Sequence, residues 1–334
     1  MELNVIWFIL LTVLFIGFFF LEGFDYGVGV LLPFLGKNDL ERRILINTIG
    51  PVWDGNEVWM VTAGGAMFAA FPHVYATLFS GFYLALFLML AALIVRGVGF
   101  EFRSKETSSR WRSSWDWLIF TGSLIPAILW GVTVTNLIQG VPVDAKMHYV
   151  GSFFDLLSVY TLIGGVAFLA VFVFHGAVYL SLKTEGNMVN RSRQAALGVG
   201  VAAALAVLAL VGLTYLKTDL FSSLAAGIAL WAAVLTFVAA FALVVLRRFA
   251  GAFALSGVTI LLTTVAFFLG LFPRLIVSSL NPAWSLTIYN ASSSPYTLKL
   301  MTVAAFLLVP VVLAYQIWTY WVFRRRVSGK NLEY

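Results

Sequence analysis

Residues 5–32 read VIWFILLTVLFIGFFFLEGFDYGVGVLL, an apolar run that carries only two ionisable side chains, Glu22 and Asp25. A helix needs about 20 predominantly apolar residues to cross the hydrocarbon core of a bilayer, and this run exceeds that length. The chain begins Met1-Glu2-Leu3-Asn4, without the basic segment that opens a secretory signal peptide. The run is therefore predicted to be a membrane span.

The composition of the whole chain agrees with a membrane protein. Of its 334 residues 61% are hydrophobic and 11% are charged, whereas a soluble domain carries about 25% charged residues. This excludes a soluble binding module and a peripheral enzyme. The chain has no cysteine, which excludes disulfides, thiolate metal sites and cysteine nucleophiles. The net charge of +6 comes from basic residues in short loops, which indicates membrane topology rather than a nucleic-acid partner.

Apolar runs of similar length recur along the sequence and predict an all-α polytopic membrane protein with nine transmembrane helices. Each run holds the roughly 20 residues that a span requires. No connection between them is long enough to hold a soluble domain. The predicted spans are 5–32, 49–71, 74–100, 115–138, 153–182, 195–216, 221–246, 253–276 and 298–323.

Basic residues are distributed unequally between the two sets of loops, and this predicts the orientation of the chain. The poorer set holds only Lys146, Lys217, Arg274 and Lys299. Because cytoplasmic loops carry the excess of Lys and Arg, the N-terminus is predicted outside and the C-terminus in the cytoplasm. The basic residues on the predicted cytoplasmic side are Lys37, Arg42, Arg43, Arg103, Lys105, Arg110, Arg112, Lys183, Arg191, Arg193, Arg247, Arg248, Arg324, Arg325, Arg326 and Lys330.

A weak internal repeat predicts two halves. Glu22-Gly23-Phe24-Asp25-Tyr26 ends the first span and His175-Gly176-Ala177-Val178-Tyr179 ends the fifth, in spans that run in the same direction. Parallel repeats of this kind occur in membrane proteins. We predict one four-helix bundle over 1–138, a second over 153–276, and a peripheral ninth span at 298–323 with a cytoplasmic basic tail to 334.

Ionisable residues inside predicted spans are costly in lipid and often mark a functional site. In the predicted orientation, each of the first three spans carries such residues in its cytoplasmic half. The acids of the first two spans form i, i+3 pairs, so each pair shares one helix face. We expect these charges to meet at one depth, within about two helical turns. They are Glu22, Asp25, Asp54, Glu57, Arg96 and, at the boundary of the third span, Glu101.

Three interpretations of this charge cluster are open. Four carboxylates and one deep arginine cannot all be ionised in a low dielectric, so at least one acid is expected to hold a proton. Such a carboxyl group could take up and release protons that enter from the cytoplasm. The cluster could instead be a set of buried ion pairs that fixes helix packing or a partner subunit, or it could bind a cation or a substrate.

Further candidate residues have two interpretations each. Trp53 and Trp59 flank the acids, either as interfacial anchors and packing residues or as neighbours of a haem or quinone. Asp116 follows a basic loop, either as an acid that starts a helix or as part of a proton entrance. His175 is the only histidine deep within a span, and a hydrogen-bonded core histidine is favoured over a metal ligand. The sequence shows no bis-histidine haem site, no metal-ligand spacing and no catalytic motif.

Glycines in the first two spans add a prediction about packing. Gly27-x-Gly29 and Gly64-Gly65 lie within these spans. Small residues let membrane helices approach closely. We predict close helix contacts at both pairs rather than a cradle for a ligand.

The charged residues lie in sequence blocks that resemble subunit II of the cytochrome bd quinol oxidase. The resemblance covers nearly the whole chain, and the block around Trp53–Pro72 is highly specific. The blocks are Gly23-Phe24-Asp25-Tyr26-Gly27-Val28-Gly29, Trp53-Asp54-Gly55-Asn56-Glu57-Val58-Trp59, Thr62-Ala63-Gly64-Gly65-Ala66, Ala69-Ala70-Phe71-Pro72, Arg96-Gly97-Val98-Gly99-Phe100-Glu101-Phe102-Arg103-Ser104-Lys105, Trp111-Arg112, Trp115-Asp116 and Gly140-Val141-Pro142.

The resemblance implies a fold, a partner and a reaction. The family fold is a nine-helix subunit, two four-helix bundles plus one peripheral helix, paired pseudo-symmetrically with a similar subunit I in the bacterial cytoplasmic membrane. The complex oxidises quinol and reduces dioxygen to water with protons from the cytoplasm, so its turnover is electrogenic. Its three haems, two b-type and one d-type, are ligated mainly by subunit I.

For this chain the resemblance implies a subunit that ligates no haem or metal and is not catalytic by itself. Its implied role is to stabilise subunit I and to line a proton path. A quinone bound in this subunit, a small single-span accessory subunit, and the choice between menaquinol and ubiquinol stay open. The residues that the resemblance assigns to the path are Asp25, Asp54, Arg96 and Glu101, with Glu22 and Glu57 beside them.

A proton-coupled secondary transporter is the alternative function, because it would use the same buried acids. Inverted repeats and helices broken near the midplane are typical of transporters. The repeat suspected here is parallel, and paired spans show no Gly/Pro break at mid-depth. The sequence therefore favours the oxidase subunit.

Overall fold

The structure is a computed structural model that describes residues 2–329 and residue 332. Lys330, which belongs to the predicted basic tail, lies outside the described residues. The described part contains α-helices and one small antiparallel sheet. In chain order these are α1 (Leu3–Leu35), α2 (Asp39–Ile49), α3 (Trp53–Ala70), α4 (Pro72–Gly81), α5 (Tyr83–Phe102), α6 (Ser109–Gln139), α7 (Val159–Lys183), α8 (Asn187–Lys217), α9 (Leu224–Val245), α10 (Phe249–Leu271), β1 (Arg274–Ile276), β2 (Leu286–Thr287) and α11 (Pro295–Val322).

Local sequence signals account for several helix starts. The Asn38 side chain accepts a hydrogen bond from the Glu41 N–H at 2.9 Å and so caps α2. Ser158 caps α7 in the same way, and Ser294 caps α11 immediately before Pro295. Such side chains satisfy the N–H groups that a first turn leaves without a helical partner, and proline fits a first helical position because its missing N–H is not needed there.

The multi-pass, all-α prediction is confirmed. Eight helices are long and apolar enough to cross a membrane, with α5 counted together with the 3₁₀ turn Arg103–Lys105. They are the helices of eight predicted spans. The remaining predicted span, 49–71, contains α3, which is 18 residues long and includes Asp54 and Glu57. The count of nine transmembrane helices therefore stays a prediction.

Several predicted spans start at a different residue from the helix found. The span 153–182 begins too early, because residues 153–156 form a 3₁₀ turn and α7 begins at Val159. The spans 115–138 and 195–216 begin too late, because α6 starts at Ser109 and α8 at Asn187.

Two further predicted spans differ in their continuity or in their end. The span 74–100 is not one helix, because α4 ends at Gly81 and α5 begins at Tyr83; the ring of Tyr149 packs against Gly81 at this break. The span 253–276 is too long, because α10 ends at Leu271 and residues 274–276 form β1. Pro273 explains this end, since proline disfavours helical geometry in the residue before it.

Helix α1 lies at the centre of the molecule. Every residue from Glu22 to Leu32 is buried, and α1 packs against α3, α6, α7 and α10. At its closest contact a Cβ on Gly27 would meet backbone atoms of Phe172 and Gly176 in α7. The predicted close contact at Gly27 is therefore confirmed. Because α1 contacts helices of both predicted bundles, the division into 1–138 and 153–276 stays a prediction.

The remaining glycines of the two predicted pairs are Gly29 in α1 and Gly64-Gly65 in α3, and their environments differ. A Cβ on Gly29 would meet the Ser123 hydroxyl of α6, so this residue also lies at a helix contact. Around Gly64 and Gly65 of α3, a Cβ would meet nothing within 4 Å. The prediction of a close helix contact at Gly64-Gly65 is wrong within the described chain, because an open apolar groove separates this part of α3 from the facing helices.

The two long connections meet at the end of the molecule predicted to lie outside. The Val141 N–H donates to the Val277 carbonyl oxygen at 2.9 Å, and β1 pairs with β2. These segments pack together with Leu11 and Phe71 in one apolar cluster. Helix α11 is peripheral, as predicted: among its described residues Leu298 alone is buried, and it contacts α3 and α1.

Candidate functional site

Arg96 lies at the centre of a buried charge cluster. It projects from α5, its side chain is fully buried, and it forms an ion pair with Glu22 of α1, which is equally buried. A second carboxylate, that of Glu57 in α3, lies 3.4 Å from the same Nη2 atom. The guanidinium also lies 4.8 Å from the centroid of the Tyr26 ring, a favourable cation–π distance. The predicted meeting of the first three spans is therefore observed for Glu22, Glu57 and Arg96.

Asp25 forms the second part of the cluster, one turn along α1 from Glu22. Its side chain is buried, and its Oδ2 accepts a hydrogen bond from the Asn56 Nδ2 at 2.7 Å. The Asn56 Oδ1 in turn accepts a hydrogen bond from the Tyr320 hydroxyl at 2.7 Å. A hydrogen-bonded chain thus runs from Tyr320 of the peripheral helix α11 through α3 to a buried acid of α1.

Two predicted members lie outside the buried cluster. Asp54 is exposed on α3, within electrostatic range of Glu57, and Glu101 is exposed at the end of α5. Helix geometry gives the reason, because successive residues are about 100° apart around the axis. Asp54 therefore projects about 200° away from the buried Asn56, and Glu101 about 140° away from Arg96. Asp54 and Glu101 therefore do not join the buried acids around Arg96, although Asp54 lies one helical turn from Glu57.

Asp116 belongs to a separate ion-pair network. It is buried in α6, where its carboxylate binds Arg103 at 2.5 Å and Arg42 at 2.6 Å. Arg103 also pairs with Asp39 at 3.0 Å, and Asp39 pairs with Arg112 at 2.8 Å. These contacts join α2 to the connection between α5 and α6. Asp116 is thus neither a simple helix-start acid nor a member of the Arg96 cluster.

The two tryptophans that flank the acids pack within this chain. The ring of Trp53 lies 5.4 Å from that of Phe100, centroid to centroid. The Trp59 Nε1 donates to the Gln316 Oε1 of α11 at 2.8 Å. Both contacts fit the packing interpretation of these residues, and Trp59 adds a second polar link between α3 and α11.

His175 is a hydrogen-bonded core histidine, as the sequence favoured. Its Nδ1 lies 2.7 Å from the Ser256 hydroxyl and its Nε2 lies 3.2 Å from the Phe20 carbonyl oxygen. Its ring stacks on Phe253 at 4.6 Å. With both nitrogens engaged, this residue does not fit the role of a haem ligand. Among residues 2–329 and 332, no group of three His, Cys, Asp or Glu side chains could hold a metal ion.

Sequence reasoning missed two neutral members of the site, Asn56 and Tyr320. Asn56 lies between Asp54 and Glu57, and as a polar residue in a predicted span it carried a usable signal. Tyr320 carried none, because its partner lies in a helix that is distant in sequence. Only the packing of α11 on α3 brings them together.

The cluster has more acid than base. Glu22, Asp25 and Glu57 share the single guanidinium of Arg96, and the Glu22 and Asp25 carboxyl groups also interact with each other. Adjacent carboxylates in a low dielectric repel one another, and one guanidinium offsets a single negative charge. The arrangement brings ionisable groups close together inside the protein, which is what proton transfer between side chains requires.

Comparison with known proteins identifies the chain's relatives. A sequence profile of the family described as cytochrome bd terminal oxidase subunit II matches residues 3–323. Cytochrome bd ubiquinol oxidase subunit 2 of Bacillus subtilis (strain 168) is 46% identical over 333 residues, which cover 99% of this chain and 98% of that protein. Cytochrome bd-I ubiquinol oxidase subunit 2 of Escherichia coli (strain K12) is 40% identical over 367 residues, covering 99% and 97%.

A solved structure shares the fold. A chain of the bd oxidase from Geobacillus thermodenitrificans superposes with a TM-score of 0.75 at 19% sequence identity, over 97% of this chain and 100% of that one. The profile match and the two relatives span nearly the full length and include the blocks around Asp25, Asn56 and Arg96. The chain therefore belongs to the cytochrome bd terminal oxidase subunit II family.

Proposed function

We propose that this chain is the subunit of a quinol-oxidising, oxygen-reducing complex that stabilises a haem-bearing subunit I and lines a path for protons from the cytoplasm. Its family and its relatives, which are named as ubiquinol oxidase subunits, support the oxidoreductase complex. In this proposal the haems, two b-type and one d-type, are ligated mainly by subunit I. Membership of the family favours this function over a proton-coupled transporter.

The buried cluster of Glu22, Asp25, Glu57 and Arg96 is the observation that carries the proton path. Reduction of dioxygen to water consumes protons, and groups that pass them must be ionisable and close together. The cluster lies in the halves of α1, α3 and α5 that the positive-inside rule assigns to the cytoplasmic side. A proton that enters from that side would reach Asp25 and Glu22 beside the guanidinium of Arg96.

The exposed acids support the proposal that one face of this chain contacts subunit I. Asp54 and Glu101 are exposed near the ends of α3 and α5, and an acidic side chain that faces hydrocarbon is unfavourable, although less so there than at the centre of a span. A protein partner with polar groups would remove much of this cost. We therefore assign this face to contact with subunit I, with Asp54 and Glu101 as the groups that would pass protons toward it.

Asp25→Asn in the assembled complex tests the proton path. Asparagine keeps the size and the hydrogen bonding of the side chain but cannot carry a proton. We expect oxygen consumption per haem to fall on the order of tenfold or more, with the haem absorption spectrum unchanged. Asp144→Asn, in the loop at the opposite end, is the matched control and should keep the wild-type rate.

Two outcomes would count against this role. Normal turnover in Asp25→Asn would remove the proton path, whereas loss of the haem bands would indicate that Asp25 is needed for assembly instead. Asp54→Asn is expected to lower oxygen consumption per haem in the same assay. Its effect on assembly, measured as the haem content of the complex, should be smaller. Normal turnover in this variant would remove Asp54 from the path.

The stabilising role has a separate test. Expression of subunit I without this chain should yield membranes with little of the three-haem absorption spectrum, and co-expression should restore it. An unchanged haem content without this chain would contradict the proposed stabilisation and leave the proton path to be judged by the Asp25 variant.

A further inference from the structure

A polar cavity lies behind the charge cluster, at the end of the molecule predicted to be cytoplasmic. It has a volume of about 160 Å³ and lies between the turn that joins α2 to α3, the end of α7 and the segment that follows α11. A water molecule needs about 10–15 Å³ of such volume, so the cavity has room for several. Its walls include Thr48, Val52, Tyr179, Lys183 and Tyr320.

The inner wall of the cavity leads to Asp25. Tyr320 lines the cavity and its hydroxyl donates to the Asn56 Oδ1 at 2.7 Å, while the Asn56 Nδ2 donates to the Asp25 Oδ2 at 2.7 Å. Tyr179 lines the same wall and its hydroxyl donates to the Thr48 carbonyl oxygen at 2.8 Å. Asp25 is therefore two hydrogen bonds from the cavity, with both tyrosines within its electrostatic range.

The outer wall is held in place by specific contacts. The Lys183 Nζ donates to the carbonyl oxygens of Phe323 and, at 3.1 Å, of Arg325. The Val327 N–H donates to the Lys183 carbonyl oxygen at 2.7 Å. The segment after α11 is thus fixed on the end of α7. Lys183, Arg325 and Arg326 make this rim cationic. Their charges repel hydronium as well as metal cations, so the attraction for a proton comes from the acids behind Tyr320.

We propose that this cavity is the mouth through which protons reach Asp25, and that Tyr320 and Asn56 are the positioning residues at its inner end. The inference rests on the proposed proton path. Because Asp25 does not itself line the cavity, the transfer needs one water molecule between them. That water gives a proton to the Asp25 carboxylate as it takes one from a hydronium ion in the cavity, so one O–H bond forms on the carboxyl group and two water molecules remain. Asn56 carries no proton in this step; it orients the carboxylate, and Tyr320 fixes Asn56.

Cysteine labelling tests whether water reaches the cavity. The chain has no cysteine of its own, so Val52→Cys introduces the one thiol of this subunit, at a cavity wall that is 6% exposed. In the assembled complex, a charged methanethiosulfonate reagent should label it from the cytoplasmic side of oriented vesicles and not from the other side. The control is Val178→Cys, a buried valine of α7 outside the cavity, which should react at least tenfold more slowly.

Tyr320→Phe tests the positioning role, because it removes the hydroxyl and keeps the ring. We expect turnover to slow severalfold and its solvent deuterium isotope effect to rise, with the haem spectrum intact. Tyr315→Phe, an exposed tyrosine on the same helix, is the control and should leave both unchanged. A merely structural role of Tyr320 would lower stability without raising the isotope effect.

The outcomes separate this inference from the proposed function. If Asp25→Asn slows turnover but Val52→Cys is not labelled from the cytoplasmic side, the mouth lies elsewhere and the proton path stands. The same holds if Tyr320→Phe keeps the wild-type rate and isotope effect. Normal turnover of Asp25→Asn would overturn both.

Discussion

At the scale of single residues, Arg96 supplies the positive charge that partly neutralises the buried acids of the cluster. Its guanidinium pairs with Glu22 and Glu57 and lies over the ring of Tyr26. Its Nε and Nη1 have no hydrogen-bond partner among the described residues. Burial of a charge costs free energy that only its partners offset, so each member of this group depends on the others.

Arg96→Leu should destabilise the assembled complex strongly, because it leaves Glu22 buried without its cation. Removal of one partner of a buried ion pair costs about 3–5 kcal/mol. Thermal inactivation of the purified complex measures the effect. The double variant Glu22→Gln/Arg96→Leu should recover part of the loss, and Lys217→Leu, at the exposed end of α8, should behave as wild type. Equal stability of Arg96→Leu and Lys217→Leu would contradict a structural dependence on the pair.

The sequence predicted which acids belong to this region and in which half of their spans they lie. It did not predict which side of its helix each acid faces. The i, i+3 spacing of Asp54 and Glu57 correctly indicated neighbouring positions on one helix. The apolar residues of α3 surround the whole helix, so nothing in the pattern showed that Asn56 faces inward and Asp54 outward. In α5 the buried residues recur at helical spacing through Met89, Leu93, Arg96 and Phe100. The sequence of α5 is apolar on every side before Arg96, so the cost of a charge in lipid was the one signal that Arg96 faces the interior.

At the scale of helices, the contact between α1 and α7 is the tightest constraint. Gly27 and Gly176 face each other so closely that a Cβ on either would overlap the backbone of the other helix. Gly176 lies in the second repeat suspected in the sequence and Gly27 directly follows the first, so the two repeats lie side by side at the centre of the molecule. Because backbone atoms cannot rotate away as a side chain can, the helices would have to separate.

Gly176→Ala is therefore expected to destabilise the subunit by about 1–3 kcal/mol, as overpacking of a close contact usually does. Thermal inactivation and the yield of the assembled complex measure the change. Gly212→Ala is the matched control, since this glycine of α8 has nothing within 4 Å of its Cβ position. Alanine there should be neutral or stabilising by up to about 1 kcal/mol. Similar losses in both variants would show that the contact is not specific.

The sequence predicted the helices that span the membrane better than it predicted the points at which they break or end. Apolar length located the spans because lipid requires it. The break at Phe82 was not visible in the apolar run 74–100, since it depends on Tyr149 from another loop packing at Gly81. The end of α10 did carry a local signal in Pro273.

At the scale of the whole molecule, ion pairs on the predicted cytoplasmic side join segments that are distant in sequence. The Glu41 carboxylate of α2 binds Arg191 of α8 at 2.5 and 2.9 Å, and the Arg191 Nη1 also donates to the Leu35 carbonyl oxygen at the end of α1. The Arg191 hydrogen bond lowers the pKa of Glu41 below its usual value of 4.5. The first and second halves of the chain are thus tied together outside the membrane.

The contribution of this pair to stability should depend on pH. A carboxyl group whose pKa is lowered by folding stabilises the folded state above its ordinary pKa, and this stabilisation is lost as the pH falls through the lowered value. Glu41→Gln should therefore reduce the stability of the complex at pH 7, by no more than about 1 kcal/mol because the pair is partly exposed. The difference from wild type should shrink below pH 4.5. A difference that is the same at pH 7 and in acid would contradict the ion pair as its cause.

The attachment of α11 has a mechanical consequence. This helix lies at the periphery, yet Tyr320 and Gln316 link it to Asn56 and Trp59 of α3. When the chain is pulled by its C-terminal end in a force-spectroscopy experiment, α11 is expected to leave first. The initial rupture would then break the hydrogen bond from Tyr320 to Asn56. If the proposed proton path holds, oxygen reduction should fail while most of the subunit is still inserted.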